Sequence, residues 1–516
     1  MRPSTNPNEP TVRPHLQPHL QPHLQPHLKH LRHISLAAAA LALLSGCIQV
    51  PVDQSGVRGP DFARAQHAAA IVLPANAWPA EQWWFDYHDA QLNELVARAL
   101  RDHPTLDVAS ARVAGARAIV DAERAATGAQ AGVAAGLNRQ RYSSNGFFPP
   151  PIGGAFYNDA SVQLKAAYDF DWWGRHRDLI AAALGEVNAR EAEGAQAAQV
   201  IAASVVQSYL RLQMLWARQD NTRALLAVQR DLVDDYSARM AHGLAGSDAV
   251  RGAELDLATL QEEVERFDTD AAREREVLRA LIGGDAGALG ELARVLPAQP
   301  AGAVPRELGL ELLARRPDLQ AARWRVEAQL GRVAAAEAAF RPDINLAGGV
   351  GLDAVSLGKL LRWSSRTPLL GTTLDLPLFD SGRLNAQLGG ARSERDALLA
   401  DYNKAVLDAV GEVAREAATL QGIAKEVQAH AAVVQASDAL AANAAARQAR
   451  GLADRAAVLQ ARQVTLRRRD MALQLADAQL QTRVALVKAL GGGYQAARQD
   501  TGAHATAATS TQTQIQ

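Results

Sequence analysis

The feature that most constrains the fold is an internal repeat, displaced by about two hundred residues, whose halves each contain one exceptionally long helical segment. Short motifs recur in the same order and at the same spacing in both halves. The corresponding pairs are 103–106 and 316–319, 173–175 and 381–383, 238–245 and 446–453, and 281–284 and 490–493. Each half is therefore predicted to contain helix, strand, strand, very long helix, tight turn and long helix.

The second long segment has the period of a helix in a coiled coil. Its apolar or small residues recur at alternating steps of three and four, a period of about 3.5 residues. They are Val410, Val413, Ala417, Leu420, Ala424, Val427, Ala431 and Val434. A helix from Gly382 to Arg450 would be about 100 Å long at about 1.5 Å per residue. Alanine at several of these positions would let neighbouring helices approach closely.

Both long segments are predicted to end at a Gly-Leu-Ala turn. The turns begin with Gly243-Leu244 and Gly451-Leu452, and glycine suits the left-handed position that follows a helix. Returning helices are predicted from Ser247 to Leu281 and from Arg455 to Leu490. The two turns would lie together at the far end of the molecule.

The clearest strand pattern lies before the first long segment. Apolar Val162, Leu164, Ala166, Tyr168 and Phe170 alternate with polar Gln163, Lys165, Asp169 and Asp171. Further strands are predicted at 133–137, 344–352 and 370–378, with long surface loops at 142–158 and 353–368. Such alternation fits either a dry sandwich or a transmembrane barrel with an outward aliphatic face. Four strands cannot close a barrel, for which about eight are needed, so the barrel hypothesis requires an oligomer.

The N-terminus begins with a histidine-rich repeat that carries His15, His19, His23 and His27. Four histidines would suit a metal site. Proline at every fourth position, however, prevents the helix that would align them. A low-complexity leader is therefore preferred, and a start codon assigned too far upstream is a further explanation.

A basic segment and a short apolar run then lead to Leu44-Ser45-Gly46-Cys47, which resembles a bacterial lipoprotein signal peptide. The pattern predicts cleavage between Gly46 and Cys47. Cys47 would then carry a diacylglycerol thioether and an N-acyl chain, and several acyl chains anchor a protein far more firmly than one. Ile48 stands where an aspartate would suggest retention in the inner membrane, so the outer membrane is favoured. The alternative is an ordinary signal peptide followed by a buried core cysteine.

The composition of the 516 residues excludes several classes of function. The formal net charge is −1, so no basic excess indicates nucleic-acid binding. A single cysteine rules out a disulfide framework or a cysteine metal cluster. After the signal peptide no stretch is apolar enough for a membrane-spanning helix, so any crossing would use strands. The sequence has no nucleophile elbow and no phosphate-binding glycine loop. We therefore expect no enzyme, no metal and no cofactor.

The chain resembles an outer-membrane efflux lipoprotein of the TolC family, in the NodT-like branch that serves resistance-nodulation-division pumps. Besides the lipoprotein motif, the resemblance covers roughly residues 82–494. It is carried by Leu44–Cys47, Trp83, Trp84, Asp89, Leu92, Arg316–Asp318, Leu376–Arg383 and Ala489–Gly493.

The resemblance implies a mixed α and β fold in which a homotrimer forms one 12-stranded transmembrane β-barrel, with four strands per chain. A long α-helical coiled-coil tunnel would continue the barrel across the periplasm. The resemblance also implies two partners, a periplasmic adaptor (membrane fusion protein) and an inner-membrane pump, besides outer-membrane lipid.

The helix turns would form the periplasmic mouth of such a tunnel. In the family, acidic residues a few positions after the second turn commonly form its narrowest ring, but Ala457 and Gln460 occupy those positions here. Because three symmetry copies near an axis amplify even one charge, other charged residues near the turns are candidates for a constriction. These are Asp248, Arg450, Asp454 and Arg455. The simpler hypothesis is that they are solvated charges at helix ends.

The predicted organisation has six parts. These are a leader and signal peptide (1–46), an extended lipidated arm (47–80), a first structural repeat (81–284), a linker (285–306), a second repeat (307–494) and a polar tail (495–516) expected to be disordered. Trp83 and Trp84, at the start of the folded part, are predicted to be a packing anchor instead of a binding box.

The function predicted from these features is a passive outer-membrane exit duct for small molecules or drugs, delivered by an inner-membrane pump through a periplasmic adaptor. One alternative keeps the architecture but exports polypeptides. A second is a lipid-anchored periplasmic coiled-coil scaffold without a pore, in which the alternating segments are surface hairpins. A peripheral cell-wall enzyme is the third.

Overall fold

The computed structural model describes residues 49–57, 78–284, 287, 289–300 and 310–495. The first half comprises α1 (Ala90–Asp102), α2 (Pro104–Ala126), β1 (Gln130–Arg141), β2 (Phe156–Asp169), α3 (Arg175–Ala241) and α4 (Ser247–Leu281). The second half comprises α5 (Leu310–Arg315), α6 (Pro317–Ala338), β3 (Asp343–Ala354), β4 (Arg366–Asp375), α7 (Arg383–Ala449) and α8 (Arg455–Ala489). Short 3₁₀ turns lie at Trp83–Tyr87, Leu357–Lys359 and Trp363–Ser365.

The two halves contain corresponding elements in the same order, and their long helices have equal lengths. α3 and α7 each have 67 residues, and α4 and α8 each have 35. At about 1.5 Å per residue, α3 and α7 are each about 100 Å long. Proline is the first residue of both α2 and α6 (Pro104 and Pro317). Its fixed φ fits a helix start, where an N–H has no intrahelical partner.

The four strands form one antiparallel sheet in the order β1-β2-β3-β4, so β1 and β4 are its edges. The halves meet where β2 pairs with β3, and there Leu164 is opposite Val350 and Gln163 is opposite Gly351. Residues directly opposite each other lie on the same face. The alternation predicted for β2 therefore extends across the sheet.

One face of the sheet is mainly apolar and the other is mainly polar. The apolar face carries Val133, Val162, Leu164, Tyr168, Leu346, Val350, Leu352 and Leu370. The polar face carries Asn138, Asp159, Ser161, Gln163, Lys165, Asp169, Asn345 and Thr373.

β4 differs from the prediction in its bounds. It runs from Arg366 to Asp375 instead of over 370–378, so the second loop is shorter than 353–368. Pro368 is accommodated because β4 is an edge strand, whereas Pro377 cannot extend the hydrogen-bond ladder because it has no N–H. The first loop also ends earlier, since β2 begins at Phe156.

The largest apolar cluster lies where α1 crosses the middle of α3. Trp83 and Trp84 are 5% and 8% exposed, with ring centroids 5.9 Å apart in an edge-on arrangement. They pack with residues of α1 and with Tyr209 and Met214 of α3, as predicted for a packing anchor. Within the described ranges, no helix is both long enough and apolar enough to span a membrane.

The described part of the predicted linker lies against α3. The side-chain amide of Gln213 accepts a hydrogen bond from Val295 N (2.8 Å) and donates one to Ala293 O (3.0 Å). From α1, Gln91 Oε1 accepts a hydrogen bond from Ala293 N at 2.8 Å. Gln213 is 1% exposed, so its amide provides the hydrogen bonds that water would otherwise make with Val295 N and Ala293 O. The segment is thereby bound to the first half.

The predicted coiled-coil seam of α7 is buried in the chain only over its first part. Val413 and Ala417 are buried and pack against the end of α8, whereas Ala424 and Ala431 are exposed. Farther along α7, polar contacts join it to α8: His430 Nε2, for example, lies 2.8 Å from the carbonyl oxygen of Arg468. Burial of these exposed seam positions therefore requires a surface outside the described residues.

Candidate functional site

Large apolar side chains on one face of the sheet are exposed. Val133 is 71% exposed, and the exposed side chains of Leu164 and Val350 continue the row. Contiguous apolar surface of this kind is uncommon on soluble monomers and marks contact with a membrane or a partner. The opposite face, with Gln163 and Lys165, suits contact with water.

Aromatic side chains lie at the end of the sheet that joins the long helices. The indole Nε1 of Trp172 donates to Ile344 O (3.2 Å), and that of Trp173 donates to Pro342 O (2.7 Å). Both rings remain more than a third exposed, and the guanidinium of Arg341 lies 4.9 Å from the Trp173 ring centroid. Rings with one polar end and one exposed apolar surface are typical of membrane–water interfaces.

A cavity of about 330 Å³ lies at the same level, between the strand ends and the starts of α3 and α7. Its acidic lining residues hold the junction together. Asp169 Oδ2 lies 2.9 Å from His176 Nε2. Asp171 accepts hydrogen bonds from the backbone N–H groups of His176 and Arg177, in the first turn of α3. In the described part of the chain, no group of three or more histidine, cysteine, aspartate or glutamate side chains is placed to hold a metal ion.

The two helix turns have the same hydrogen-bond pattern. Gly243 and Gly451 have φ values of 70° and 74°, the left-handed conformation predicted for them. Leu244 N donates to Arg239 O and Leu452 N donates to Arg447 O, closing each helix in a Schellman motif. Leu244 and Leu452 are 69% and 66% exposed, so both turns present a leucine to solvent.

Two of the predicted gate residues form ion pairs, and both partners lie on α3. Arg239 Nη1 is 2.7 Å from Asp454 Oδ2, and Arg455 Nη2 is 3.1 Å from Asp231 Oδ1. We call these the mouth ion pairs. Each joins the hairpin of the second repeat, α7 and α8, to the long helix of the first.

Asp454 has a second role as the N-cap of α8. Its Oδ1 accepts a hydrogen bond from Ala457 N at 2.9 Å. That hydrogen bond and the one from Arg239 hold the pKa of the Asp454 carboxyl below its ordinary value. Asp454 therefore stays ionised throughout the physiological pH range.

Next to the mouth ion pairs, α3 and α8 also make apolar and amide contacts. Leu232 of α3 packs with Ala456 and Leu459 of α8. Gln460 Nε2 donates to the hydroxyl of Tyr236 at 2.8 Å. Gln460 is one of the two positions where the family commonly has an acidic residue, and here it joins α8 to α3.

The other predicted gate residues lie apart from these pairs. Asp248 is exposed in the first turn of α4 and lies beside the Ser247 hydroxyl. Arg450 is the exposed C-cap residue of α7 and forms no ion pair with a residue of the described ranges. Gly46 and Cys47 lie outside the described residues.

The α3 partners Asp231 and Arg239 were not singled out in the sequence. With Asp235 they form a charged row at spacings of four residues on one face of α3. That row is a usable signal for a charged helix face. It does not identify α8 as the partner, because the paired residues are more than two hundred positions apart.

Comparisons with known proteins agree with this geometry. The family model of outer membrane efflux proteins matches residues 95–284 and 308–492. The chain is 36% identical over 401 residues to the multidrug resistance outer membrane protein MdtP of Escherichia coli strain K12, covering 75% of this chain and 81% of the relative. It is 34% identical over 403 residues to MdtQ of Escherichia coli O157:H7, covering 76% and 83%.

Solved structures show the same similarity. The outer membrane protein VceC of Vibrio cholerae is 30% identical with a TM-score of 0.72, over 81% of this chain and 100% of VceC. The outer-membrane channel OprN is 25% identical with a TM-score of 0.74, over 87% of this chain and 100% of OprN.

Proposed function

Because this chain belongs to the outer membrane efflux protein family, we propose that it is the exit duct of a tripartite efflux system. It is an outer-membrane channel protein for efflux. Three copies would form the duct, which receives small molecules or drugs from an inner-membrane pump through a periplasmic adaptor. The duct is passive, because the pump supplies the energy, and it has no catalytic step.

The sheet is the observation that carries this proposal. Its apolar and polar faces would become the lipid-facing wall and the wet lumen of a barrel. Among the described residues, neither edge strand, β1 or β4, has a partner on its outer side, and unpaired edges are stable in a bilayer only if another copy pairs with them. Three chains would supply twelve strands, enough to close a ring.

The alternative functions fit these observations less well. A scaffold without a pore predicts separate surface hairpins, whereas the strands form one sheet whose two faces differ in polarity. A duct for secreted polypeptide would have the same architecture. The relatives named as multidrug resistance proteins support small molecules as the cargo instead.

The proposal includes lipidation of Cys47 and the six-part organisation predicted from the sequence. The first described residues, from Gln49, lie along α7. Arg392 Nη1 donates to Pro51 O at 2.7 Å, and Arg395 pairs with Asp53. The pairing lowers the pKa of the Asp53 carboxyl to about 2. This contact would direct the lipidated end of the arm toward the membrane.

Planar bilayer recording tests the proposed duct. We expect a Cys47→Ser variant, purified in detergent, to be a trimer by mass in solution and to give discrete channels with a small resting conductance. The Cys47→Ser substitution removes the lipid without changing the sheet. A water-soluble species without conductance would refute the duct and favour the scaffold.

We further propose that the mouth ion pairs hold the periplasmic end closed. They join the α7–α8 hairpin to α3, and three copies would repeat them around the axis. Docking of the adaptor would separate the hairpin from α3 and widen the opening. Because both pairs are about half exposed, each contributes little to stability, which suits contacts that must break during transport.

Removing the carboxylate charge from both mouth ion pairs is expected to raise the resting conductance severalfold. Asp454→Asn combined with Asp231→Asn removes both carboxylate charges, while asparagine still caps α8. The measurement is single-channel conductance in a planar bilayer at moderate salt. A separate variant that exchanges the charges of one pair, Arg239→Asp with Asp454→Arg, keeps an ion pair at that place and should have a conductance near the wild-type value.

Asp438→Asn provides a matched control. Asp438 pairs with Arg469 at 3.1 Å and has similar exposure, but this pair joins α7 to α8 within one hairpin. The control should leave the resting conductance unchanged. Equal conductance in the control and the double variant would show that the mouth ion pairs do not hold the gate.

A further inference from the structure

Basic side chains are concentrated at the end of the sheet farthest from the helices. β1 ends with Arg139 and Arg141, and β4 begins with Arg366. All three side chains are exposed. The loop before β4 adds Lys359 and Arg362, and neither loop at this end contains an acidic residue.

The register places the three strand arginines on the apolar face of the sheet. Arg139 and Arg141 have the same parity as Val133 in β1. Arg366 has the same parity as Leu370 in β4 and is opposite Leu352 of β3. The face that carries aliphatic side chains along its length thus changes to arginine at one end. We call Arg139, Arg141 and Arg366 the outer arginine rim.

Acidic residues at the same level lie on the other face. Asp159 is opposite Asn138, and Asp353 is opposite Ser161, which places both carboxylates among the polar side chains. The charges are therefore separated by sign, with the cations outward and the anions toward the proposed lumen. Loops that contact only water would not require cations and anions on opposite faces of the sheet.

The rim also lies at the depth expected for lipid headgroups. Arg139 is opposite Asn158 of β2, ten residues before Tyr168 at the aromatic end of the same strand. Ten residues span about 33 Å along a strand, or about 25 Å along the membrane normal at a tilt of about 40°. That height matches the apolar band of outer-membrane barrels, about 25 Å.

Among the described residues, Arg141 and Arg366 donate hydrogen bonds through Nε, and the guanidinium groups of Arg139 and Arg366 also lie over aromatic rings. Arg141 donates through Nε to Gly154 O at 3.2 Å, and Arg366 donates through Nε to Trp363 O at 2.9 Å. The guanidinium of Arg139 lies 5.4 Å from the Phe156 ring centroid. Planar guanidinium groups with available Nη atoms match the geometry of phosphate oxygens, which they bind in a bidentate way.

From this arrangement we propose that the outer arginine rim binds the phosphates of lipopolysaccharide in the outer leaflet. The inference rests on the proposed barrel, because it requires the apolar face to point outward and the rim to lie at the level of the headgroups. The outer leaflet of such a membrane presents phosphorylated glucosamine headgroups at this level. Since β1 and β4 are the two edges, closure of the ring would bring the rim arginines of adjacent copies together. Each subunit boundary would then hold one cluster.

The test measures binding of fluorescent lipopolysaccharide lacking O-antigen to the purified full-length trimer in detergent. We expect the variant Arg139→Gln/Arg141→Gln/Arg366→Gln to bind at least tenfold more weakly than wild type. Replacing the same three residues by lysine should retain part of the affinity, because charge remains while bidentate geometry is lost. Lys165→Gln, a charge change on the polar face, should have no effect.

Experiments on the wild-type protein test the ligand without relying on a variant. Enzymatically dephosphorylated lipopolysaccharide should bind at least tenfold more weakly than the phosphorylated form. Equal binding of the two forms would overturn the proposal. So would equal binding of phosphatidylglycerol, or displacement by inorganic phosphate at millimolar concentration, because the rim would then be a general anion surface.

Bilayer conductance separates this inference from the proposed duct. The glutamine variant should still form conducting trimers, because the three positions face away from the lumen. If the glutamine variant conducts and binds lipopolysaccharide as tightly as wild type, only the proposed role of the outer arginine rim is overturned. A wild-type chain that forms no trimer would refute the duct and the rim together.

Discussion

Replacing Gly491 by alanine is expected to lower the free energy of unfolding by about 2–5 kcal/mol. Gly491 has φ 95° and follows the end of α8. A Cβ there would overlap the carbonyl oxygen of Arg315, at the end of α5. Neither backbone segment can move easily, because Gln199 of α3 donates a hydrogen bond to Gly491 O and the residue after Arg315, Arg316, is the N-cap of α6.

Denaturation of the detergent-solubilised protein, followed by far-ultraviolet circular dichroism, measures this loss. Gly451→Ala is the matched control, because Gly451 has a similar left-handed backbone with φ 74° but no atom within 4 Å of the added Cβ. The control should cost about 1–2 kcal/mol from backbone strain alone. If the two variants lose equal stability, the close approach at Gly491 is not what requires glycine.

The first repeat contains the same contact in a milder form. Gly283 follows α4 as Gly491 follows α8, and a Cβ on Gly283 would lie 2.8 Å from Asp102 O at the end of α1. In both halves, the returning helix therefore ends against the residue that precedes an X-Pro helix start. This packing explains why glycine-rich ends and X-Pro motifs recur together in the sequence.

Replacing Arg316 by alanine is expected to lower the free energy of unfolding by about 3–5 kcal/mol. The Arg316 side chain is 10% exposed and forms a bidentate pair with Asp318 (2.7 and 3.1 Å). Its Nη1 also donates to Glu412 of α7 at 2.8 Å and to Ala489 O at the end of α8 at 2.9 Å. One guanidinium thus joins α6, α7 and α8.

Electrostatics explains why the loss is large. Burial disfavours the charged form of Arg316, but the hydrogen bonds and charges of Asp318 and Glu412 outweigh burial and keep its pKa above the ordinary value. Alanine would leave two carboxylates without their cation and the Ala489 carbonyl without its donor. Truncating one partner of a buried pair is costly for this reason.

The same denaturation measurement tests Arg316. Arg101→Ala is a matched control, because Arg101 also forms a bidentate pair, with Asp102, but its side chain is 64% exposed. Such an exposed pair contributes about 0–1 kcal/mol. Arg316→Lys should show an intermediate loss, since lysine keeps the charge but lacks the fork. An Arg316→Ala loss no larger than that of Arg101→Ala would contradict a stabilising role for this network.

Local sequence determined most of the secondary structure. The ends of the long helices were predicted from the glycine after the last turn, and the helical period of the second long segment was predicted from apolar residues at steps of three and four. The predicted returning helix from Ser247 to Leu281 agrees with α4. The repeat itself predicted the equal lengths of the paired long helices. These signals act over a few residues, so a single sequence contains them.

The faces of the sheet were also predictable, because side chains alternate along a strand with a period of two. The bounds of β4 were not, since Pro368 ends a strand in most contexts but is accommodated at an edge. That β4 is an edge depends on which strands lie next to each other. Periodicity within one strand carries no information about its neighbours.

Only the tertiary structure decided which charges pair. Asp454 and Arg455 were identified from their place beside a helix turn, but their partners Arg239 and Asp231 lie on α3. The network of ion pairs at Arg316 likewise depends on Glu412, 96 residues away in the sequence. Ion pairs have no sequence period, and their partners are chosen when distant helices pack together. The sequence therefore determined the helices, the turns and the faces of the sheet. Tertiary packing determined the contacts between distant helices, at Arg316 and at the proposed mouth.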